Sequence, residues 1–261
     1  MRAASLTLDK LAAAQAQPET VAFFVSDLHL SPDMPKTAQA FLDFLSSHAA
    51  SAQALYLLGD IFEYWAGDDD LDEPFNQRIV LALHTLTERG VSVYWLAGNR
   101  DFLVQKTFAH ASGVQLLDEP YLANIAGQRL LLVHGDAQCT DDLAYMAFRA
   151  QVRDPEWQQA FLARPLQERK AIIAGLREGS REAQREKPMS IMDVNPTQIN
   201  KLFSIYAVKT LMHGHTHRPA MHETNAGTRY VLPDWDCDTE QVRGGWFALG
   251  VDGQITSVTL T

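Results

Sequence analysis

Five short polar strings, each directly after a hydrophobic run, constrain this chain more than any other feature: Asp27-Leu28-His29, Gly59-Asp60, Gly98-Asn99-Arg100-Asp101, His134-Gly135-Asp136 and Gly214-His215-Thr216-His217. The runs before them, residues 21–25, 54–58, 91–97, 130–133 and 210–212, read as buried strands. Helical patterns over 37–50, 75–89 and 102–111 follow the early strands and give a βαβ rhythm. After His217 the pattern turns to strands at 229–232, 246–251 and 255–260. The order predicts an α/β fold with its chemistry at the carboxyl ends of strands, where open α/β sheets place their sites.

The residue types suit a pair of divalent metals. Two such ions about 3.5–4 Å apart can clamp a phosphoryl group and activate water, which requires a bridging carboxylate, neutral imidazoles and open positions. Asp27 and His29 are two residues apart, as are His215 and His217. In an extended segment that spacing sends both side chains to one face. Asp60 is the best bridge, and Asn99 offers a neutral amide oxygen. Nitrogen and oxygen donors without thiolate suit Mn, Mg, Fe or Zn. Taken singly, Asp and Asn after a strand are ordinary turn residues. The ordered set, not any member, points to a two-metal phosphoesterase.

The series DxH, GD, GN(H/R)(D/E), H and GHxH resembles the calcineurin-like metallophosphoesterases. Most of them carry His after the Asn of the third block, where this chain has Arg100. Arg100 occurs together with Ser26-Asp27-Leu28-His29-Leu30, Gly67-Asp68-Asp69-Asp70, Gly98-Asn99-Arg100-Asp101-Phe102-Leu103, Cys139-Thr140-Asp141-Asp142, Ile191-Met192-Asp193-Val194-Asn195 and His213-Gly214-His215-Thr216-His217-Arg218-Pro219. This combination is similar to the family that cleaves the pyrophosphate of UDP-2,3-diacylglucosamine in lipid A biosynthesis, over about residues 21–220.

That resemblance implies a four-layer αββα sandwich, an α/β fold of two mixed sheets with helices outside and a helical insertion at 137–195 acting as a lid. It implies two divalent ions, manganese in this family. Asp27, His29, Asp60 and His217 would hold one; Asp60, Asn99, His134 and His215 would hold the other. Asp60, Asn99, Arg100 and His215 would be catalytic, with water attacking the phosphorus on the uridine side to give UMP and the diacylated sugar 1-phosphate. Substrate contacts would fall on Asn99, Arg100, Asp142, Ser180, Gln184, Lys187 and His215. Gln184 stands where other members carry Asn.

Arg100 also makes sense by its own chemistry. A guanidinium binds phosphate oxygens bidentately and keeps its charge. It cannot donate a proton as His could, so the leaving group must need little protonic help, as a phosphate does. The bland alternative is a surface pair between Arg100 and Asp101.

At 261 residues with 46% hydrophobic content, the chain suits one large domain with an insertion. A net charge of -10 argues against general nucleic-acid binding. No apolar run reaches the ~20 residues of a membrane span, and no leader pattern stands at the N-terminus. Two cysteines, Cys139 and Cys237, without metal-like spacing are expected to be free thiols. The expected location is the cytoplasm, against the inner-membrane surface, with no obligate protein partner. Residues 164–187 carry seven Lys or Arg against four Glu, with Leu166, Ile172, Ile173 and Leu176 at helical spacing. This part of the insertion, broken by Pro155, Pro165 and Pro188, is expected to receive acyl chains on its apolar faces and the sugar phosphate and inner leaflet on its basic residues.

Residues 1–20 are Ala- and Gln-rich and carry no identifiable chemistry. Asp68, Asp69 and Asp70 look like a third metal site, but an acidic loop before a helix is the commoner meaning. His213 is expected to be structural, and Trp235-Asp236-Cys237 has no assigned role. The rival readings are a calcineurin-like enzyme for a soluble nucleotide or other phosphoester, and a scaffold without metals. Arg100 and the insertion speak against the first, the full ligand set against the second.

Overall fold

The computed structural model describes residues 20–186, 191 and 193–260, with the backbone alone for 180–186. The N-terminal stretch 1–19 and Lys187 lie outside it, as does Pro188.

Period-two alternation in the strands creates the layers. In β1 (Thr20–Val25), Ala22 and Phe24 join one buried cluster while Phe23 and Val25 join another. In β2 (Ala54–Leu57), Ala54 and Tyr56 divide from Leu55 and Leu57 in the same way. Successive side chains in a strand point to opposite faces, so each strand feeds two cores. With β3 (Ser92–Leu96), β4 (Gln115–Leu117), β10 (Gly245–Gly250) and β11 (Ile255–Thr259) they form a six-stranded sheet, order β11-β10-β1-β2-β3-β4. Neighbours among β1 to β4 are parallel; β10 pairs antiparallel with both β1 and β11.

A second sheet holds β5 (Tyr121–Ile125), β6 (Gln128–Leu132), β7 (Thr210–His213), β8 (Ala220–Glu223) and β9 (Thr228–Val231), in order β5-β6-β7-β9-β8. Leu130, Leu132 and Met212 face Phe24, Tyr56 and Leu249 in the core between the sheets. Leu131, Val133 and Leu211 face outward onto Ile199 and Phe203 of α7 (Pro196–Tyr206). The outer face of the first sheet is covered by α1 (Pro35–Ser47), α2 (Pro74–Glu88) and α3 (Lys106–Ser112), through Phe41, Phe44, Leu83 and Phe108. Four layers result, helix, sheet, sheet, helix.

Between β6 and α7 run α4 (Leu143–Val152), α5 (Pro155–Leu162) and α6 (Leu166–Glu186). Pro155 does not merely interrupt this segment. It occupies the first turn of α5, where its missing N–H is no loss, and Asp154 before it accepts from Trp157 N at 2.9 Å. Asn195 and Pro196 start α7 in the same manner.

The helix expected at 102–111 begins only at Lys106. Its start is fixed by a distant carboxylate: Asp68 accepts from Gln105 N at 3.1 Å and Phe108 N at 2.8 Å. The acidic triplet is therefore dispersed into separate structural contacts. Asp69 pairs with Arg169, and Asp70 lies 2.6 Å from Lys170 Nζ.

Candidate metal centre

The five strings converge on one edge. Beyond β1 the chain continues beside the segment after β2: Asp27 N donates to Gly59 O at 3.1 Å, His29 N to Asp60 O at 3.0 Å and Leu30 N to Ile61 O at 2.8 Å. Gly214 N donates to His134 O at 2.9 Å, which ties the fourth string to the fifth.

The convergence does not come from strand pleating. Asp27, His29, Asp60, His215 and His217 all have positive φ, 53°, 49°, 54°, 65° and 52°. The extended geometry expected for the two spaced pairs is thus corrected: each pair lies in a loop whose alternate residues are left-handed. Only two other described non-glycine residues share that conformation, Ala126 and Ala207. Left-handed backbone is costly for residues with a Cβ and collects where the surroundings enforce it for function. The glycines of two motifs have a related cause. A Cβ on Gly98 would collide with the Asp60 carboxylate, and one on Gly214 with that of Asp27.

Two clusters of donor atoms result. Asp27, His29 and His217 bring one ligand atom each within 4.8 Å of the others, and Asp60, His134 and His215 do the same. His29 Nε2 and His217 Nε2 face each other at 3.2 Å. His134 Nε2 lies 3.0 Å from Asn99 Oδ1 and 3.6 Å from Asp60 Oδ1, so Asn99 joins the second cluster. Asp27 is fully buried; its Oδ2 accepts from Ser26 Oγ at 2.6 Å and His215 N at 2.9 Å, while Oδ1 has no hydrogen-bond donor. A buried carboxylate oxygen with no hydrogen bond, here with only His217 Nε2 at 3.5 Å, is unfavourable unless a cation satisfies it. The donor set fits divalent ions on this ground.

The electrostatics divide the histidines. Burial lowers His29 to about 4 and, with His134 nearby, His215 to about 4, which leaves both imidazoles neutral and able to ligate. For His134 burial pulls down, but the carboxylates of Asp60, Asp27, Asp136 and Glu119 outweigh it and raise it to about 9. Burial would raise Asp27, yet the His217 contact and the surrounding histidines hold it well below the usual carboxylate range.

Arg100 stands beside Asp60, its N donating to Asp60 Oδ1 at 2.8 Å and its Nε 4.0 Å from Oδ2. The bland pairing with Asp101 does not form. Asp101 is fully buried and accepts instead from Gly98 N and Ile61 N, each at 2.8 Å, joining the second and third strings. Asp142 is buried and caps α4, accepting from Tyr145 N at 3.0 Å. Ser180 and Gln184 lie on α6, where side chains are not described, and Lys187 is outside the described residues. His213 is structural: fully buried, it contacts Gly214 O through Nδ1 and accepts from Arg229 at Nε2, 3.0 Å away.

Several supporting residues have no local sequence signal. Glu119 accepts from His134 N at 2.7 Å, and Asp136 accepts from Tyr145 Oη and Arg149 Nε, both at 2.8 Å. Glu63 Oε2 lies 3.0 Å from His29 Nδ1, and Asp234 Oδ2 lies 3.6 Å from His217 Nδ1. Asp136 sits inside a motif and was the one discoverable by spacing. The rest arrive from remote segments. Trp235 also gains a role: its N donates to Asp27 O at 2.9 Å while its ring packs edge-on against Phe41 and Phe44.

Cys139 and Cys237 are both free. No helix of the described residues is long and apolar enough to cross a membrane.

The chain is similar to several known proteins. UDP-2,3-diacylglucosamine hydrolase of Aromatoleum aromaticum is 48% identical over 226 residues, covering 85% of this chain and 92% of its own. The protein of the same name from Chromohalobacter salexigens is 46% identical, covering 81% and 87%. That from Chromobacterium violaceum is 45% identical, covering 91% and 98%. Among solved structures, an archaeal phosphodiesterase aligns with TM-score 0.46 at 9% identity, covering 92% of this chain and 99% of the other. A family profile for calcineurin-like phosphoesterases matches residues 22–219, and the chain belongs to that family.

Proposed function

We propose that this protein hydrolyses the pyrophosphate bond of UDP-2,3-diacylglucosamine, giving UMP and 2,3-diacylglucosamine 1-phosphate in lipid A biosynthesis. The observation that carries the substrate is the name shared by relatives 45–48% identical over more than four-fifths of the chain. The geometry supplies the chemistry. Asp27, His29 and His217 would hold one divalent ion, and Asn99, His134 and His215 the other, with Asp60 between them as the bridge. Manganese is the ion we infer. When bound, the pair would supply Lewis acidity and an activated water.

The chain's own groups do the rest. Asp101 locks the loops that carry Asp60 and Asn99. Arg100 binds phosphoryl oxygens with its fork and keeps its charge as the bond to the phosphate leaving group breaks. His134 Nδ1 donates to Leu58 O at 2.9 Å, which aims Nε2 into the site.

The insertion supplies selectivity. Phe148, Val152, Trp157, Phe161, Ile172 and Leu176 line an apolar groove of about 360 Å³ between α4, α5 and α6. Acyl chains would lie in it; the described basic residues of α6, Arg169, Lys170 and Arg177, are instead paired with Asp69, Asp70 and Glu63 of the core. Residues 137–195 act as one lid on the core formed by 21–136 and 196–261. Ile172 and Ile173 both pack against the main core, but of the two only Ile172 also lines the groove.

The test is release of UMP from UDP-2,3-diacylglucosamine by metal-stripped protein, with and without Mn, beside UDP-N-acetylglucosamine. Mn-dependent cleavage of the acylated substrate alone is expected. Cleavage of neither overturns the assignment, and cleavage of both overturns the selecting role of the insertion.

A further inference from the structure

The two clusters hold their histidines by different means. In the second, His134 Nδ1 is fixed by a main-chain oxygen, Leu58 O, immediately after β2. In the first, the corresponding nitrogens face side chains: Glu63 Oε2 is 3.0 Å from His29 Nδ1, and Asp234 Oδ2 is 3.6 Å from His217 Nδ1. Glu63 in turn is gripped from α6. The Arg177 guanidinium pairs with its carboxylate, and Arg177 Nη1 also donates to Glu63 O at 3.1 Å. Both side chains are largely shielded, 14% exposed for Arg177 and 19% for Glu63.

We propose that Arg177 and Glu63 form a positioning relay, Arg177 to Glu63 to His29, through which the docked insertion sets how tightly the Asp27, His29 and His217 cluster holds its divalent ion. The proposal rests on the two-metal reading above. A carboxylate beside Nδ1 biases the imidazole tautomer and ring orientation and raises the basicity of Nε2; here Glu63 acts through a 3.0 Å electrostatic contact rather than an aligned hydrogen bond. The relay needs Arg177 because a lone carboxylate so near a cation site could swing inward and ligate. The planar fork of an arginine holds a carboxylate in one orientation and offsets its charge. The second cluster has no such link to α6 among the described contacts: His134 is fixed by backbone, and the His215 ring lies against Tyr145 of α4. Two consequences follow. Undocking α6 loosens one ion and leaves the other. By linkage, loading that ion favours the docked insertion by the same free energy.

The experiment is a Mn titration of stripped protein followed by electron paramagnetic resonance, for wild type, Glu63→Gln, Arg177→Gln, Arg177→Lys, the Glu63→Gln/Arg177→Gln double variant and Glu168→Gln. Glu168 is a control on the same helix, in an exposed pair with Arg164. Far-UV circular dichroism and thermal melts confirm that each variant is folded. The expected result is a weakening of one of two ions by about 10–100-fold in Glu63→Gln and Arg177→Gln, the usual loss for an outer partner of a ligating histidine. The second ion and the Glu168→Gln control stay as wild type. The double variant is no weaker than Glu63→Gln alone, because both act along one path, and Arg177→Lys falls between. Folded variants that bind both ions normally, or weaken both equally, overturn the relay. Wild-type protein binding fewer than two ions overturns the two-metal reading, and the relay with it.

Discussion

The strand ends that carry the histidines and the helices that roof them are held in place by opposite means. Val25, Leu57, Leu132 and Met212, which end or precede the site loops, have no solvent exposure at all, and the loops are stitched together by main-chain hydrogen bonds. The helices α4 to α6 bury few apolar residues, chiefly Val152 and Phe161, and attach through charge: Arg153 to Gly98 O, Arg169 to Ala66 O and Asp69, Lys170 to Asp70, Arg177 to Glu63. A region with few buried apolar contacts opens at lower free energy than the global fold. The difference teaches how one chain can fix its donor atoms by burial while attaching the helices beside them through charge.

Breaking the rigid side should have the largest effect. Asp60→Ala is expected to reduce hydrolysis of the acylated substrate by more than about 1,000-fold, the equivalent of the several kcal/mol of charge stabilisation that metals supply. Steady-state kinetics on folded protein checks this; near wild-type turnover would end the bridging assignment. Arg100→Ala should cost about 100–1,000-fold, as removal of a preorganised charge stabiliser does, with Arg100→Lys recovering only part because the fork is lost.

On the charge-attached side the losses should be smaller and specific to substrate. Ile172→Asp and Leu176→Asp are each expected to lower kcat/KM for the acylated substrate by about 10–100-fold, from the ~1.5–3 kcal/mol of burying such a side chain. Metal content should be unchanged. Ile173→Asp should instead lower the melting temperature without singling out the acylated substrate, since Ile173 packs on the main core and does not line the groove; Ile172, which does both, should show both effects. If all three behave alike, groove and core are not distinct. Arg169 is buried, 2% exposed, and donates to Arg164 O and Ala66 O. Its replacement by Ala should destabilise by about 1–3 kcal/mol, the desolvation cost of orphaned acceptors. Limited proteolysis should then cut within residues 137–195 first; cutting in the sheets first would contradict the contrast.

The smallest effect concerns a proton. With no metal, His134 is held protonated up to about pH 9, above the ordinary histidine value. Its contribution to stability is therefore complete below about pH 6.5 and lost as pH rises through 9. A ligating imidazole must be neutral, and against the pull of burial nearby carboxylates, Asp27 foremost, raise His217 as well, so Mn uptake at pH 7 should expel at least about one proton per chain. Calorimetry in buffers of differing ionisation enthalpy measures it. Loaded protein should not show this alkaline loss of stability.

Much of the site was legible because its ligands are local words. Asp27-Leu28-His29 and His215-Thr216-His217 can be read without knowing the fold, and the apolar runs before them marked β1, β2, β3, β6 and β7. Less was legible where the pattern was weak. Strands β4, β5 and β8 are short or half exposed and lack a clear alternation, and α7 was missed although Asn195 and Pro196 form its cap.

The sequence by itself determined the order of strands and polar strings, the kinds of donor atoms and the presence of a charged helical segment, because each is encoded by residues within a few positions of one another. Only the tertiary structure decided that the ligands converge through left-handed loops, that Asp101 joins two strings rather than pairing with Arg100, and that Asp68 sets where α3 begins. It also decided that Glu63 stands between His29 and a helix 114 residues further along the chain. These depend on contacts between remote segments, whose backbone conformations are imposed by packing rather than by local preference.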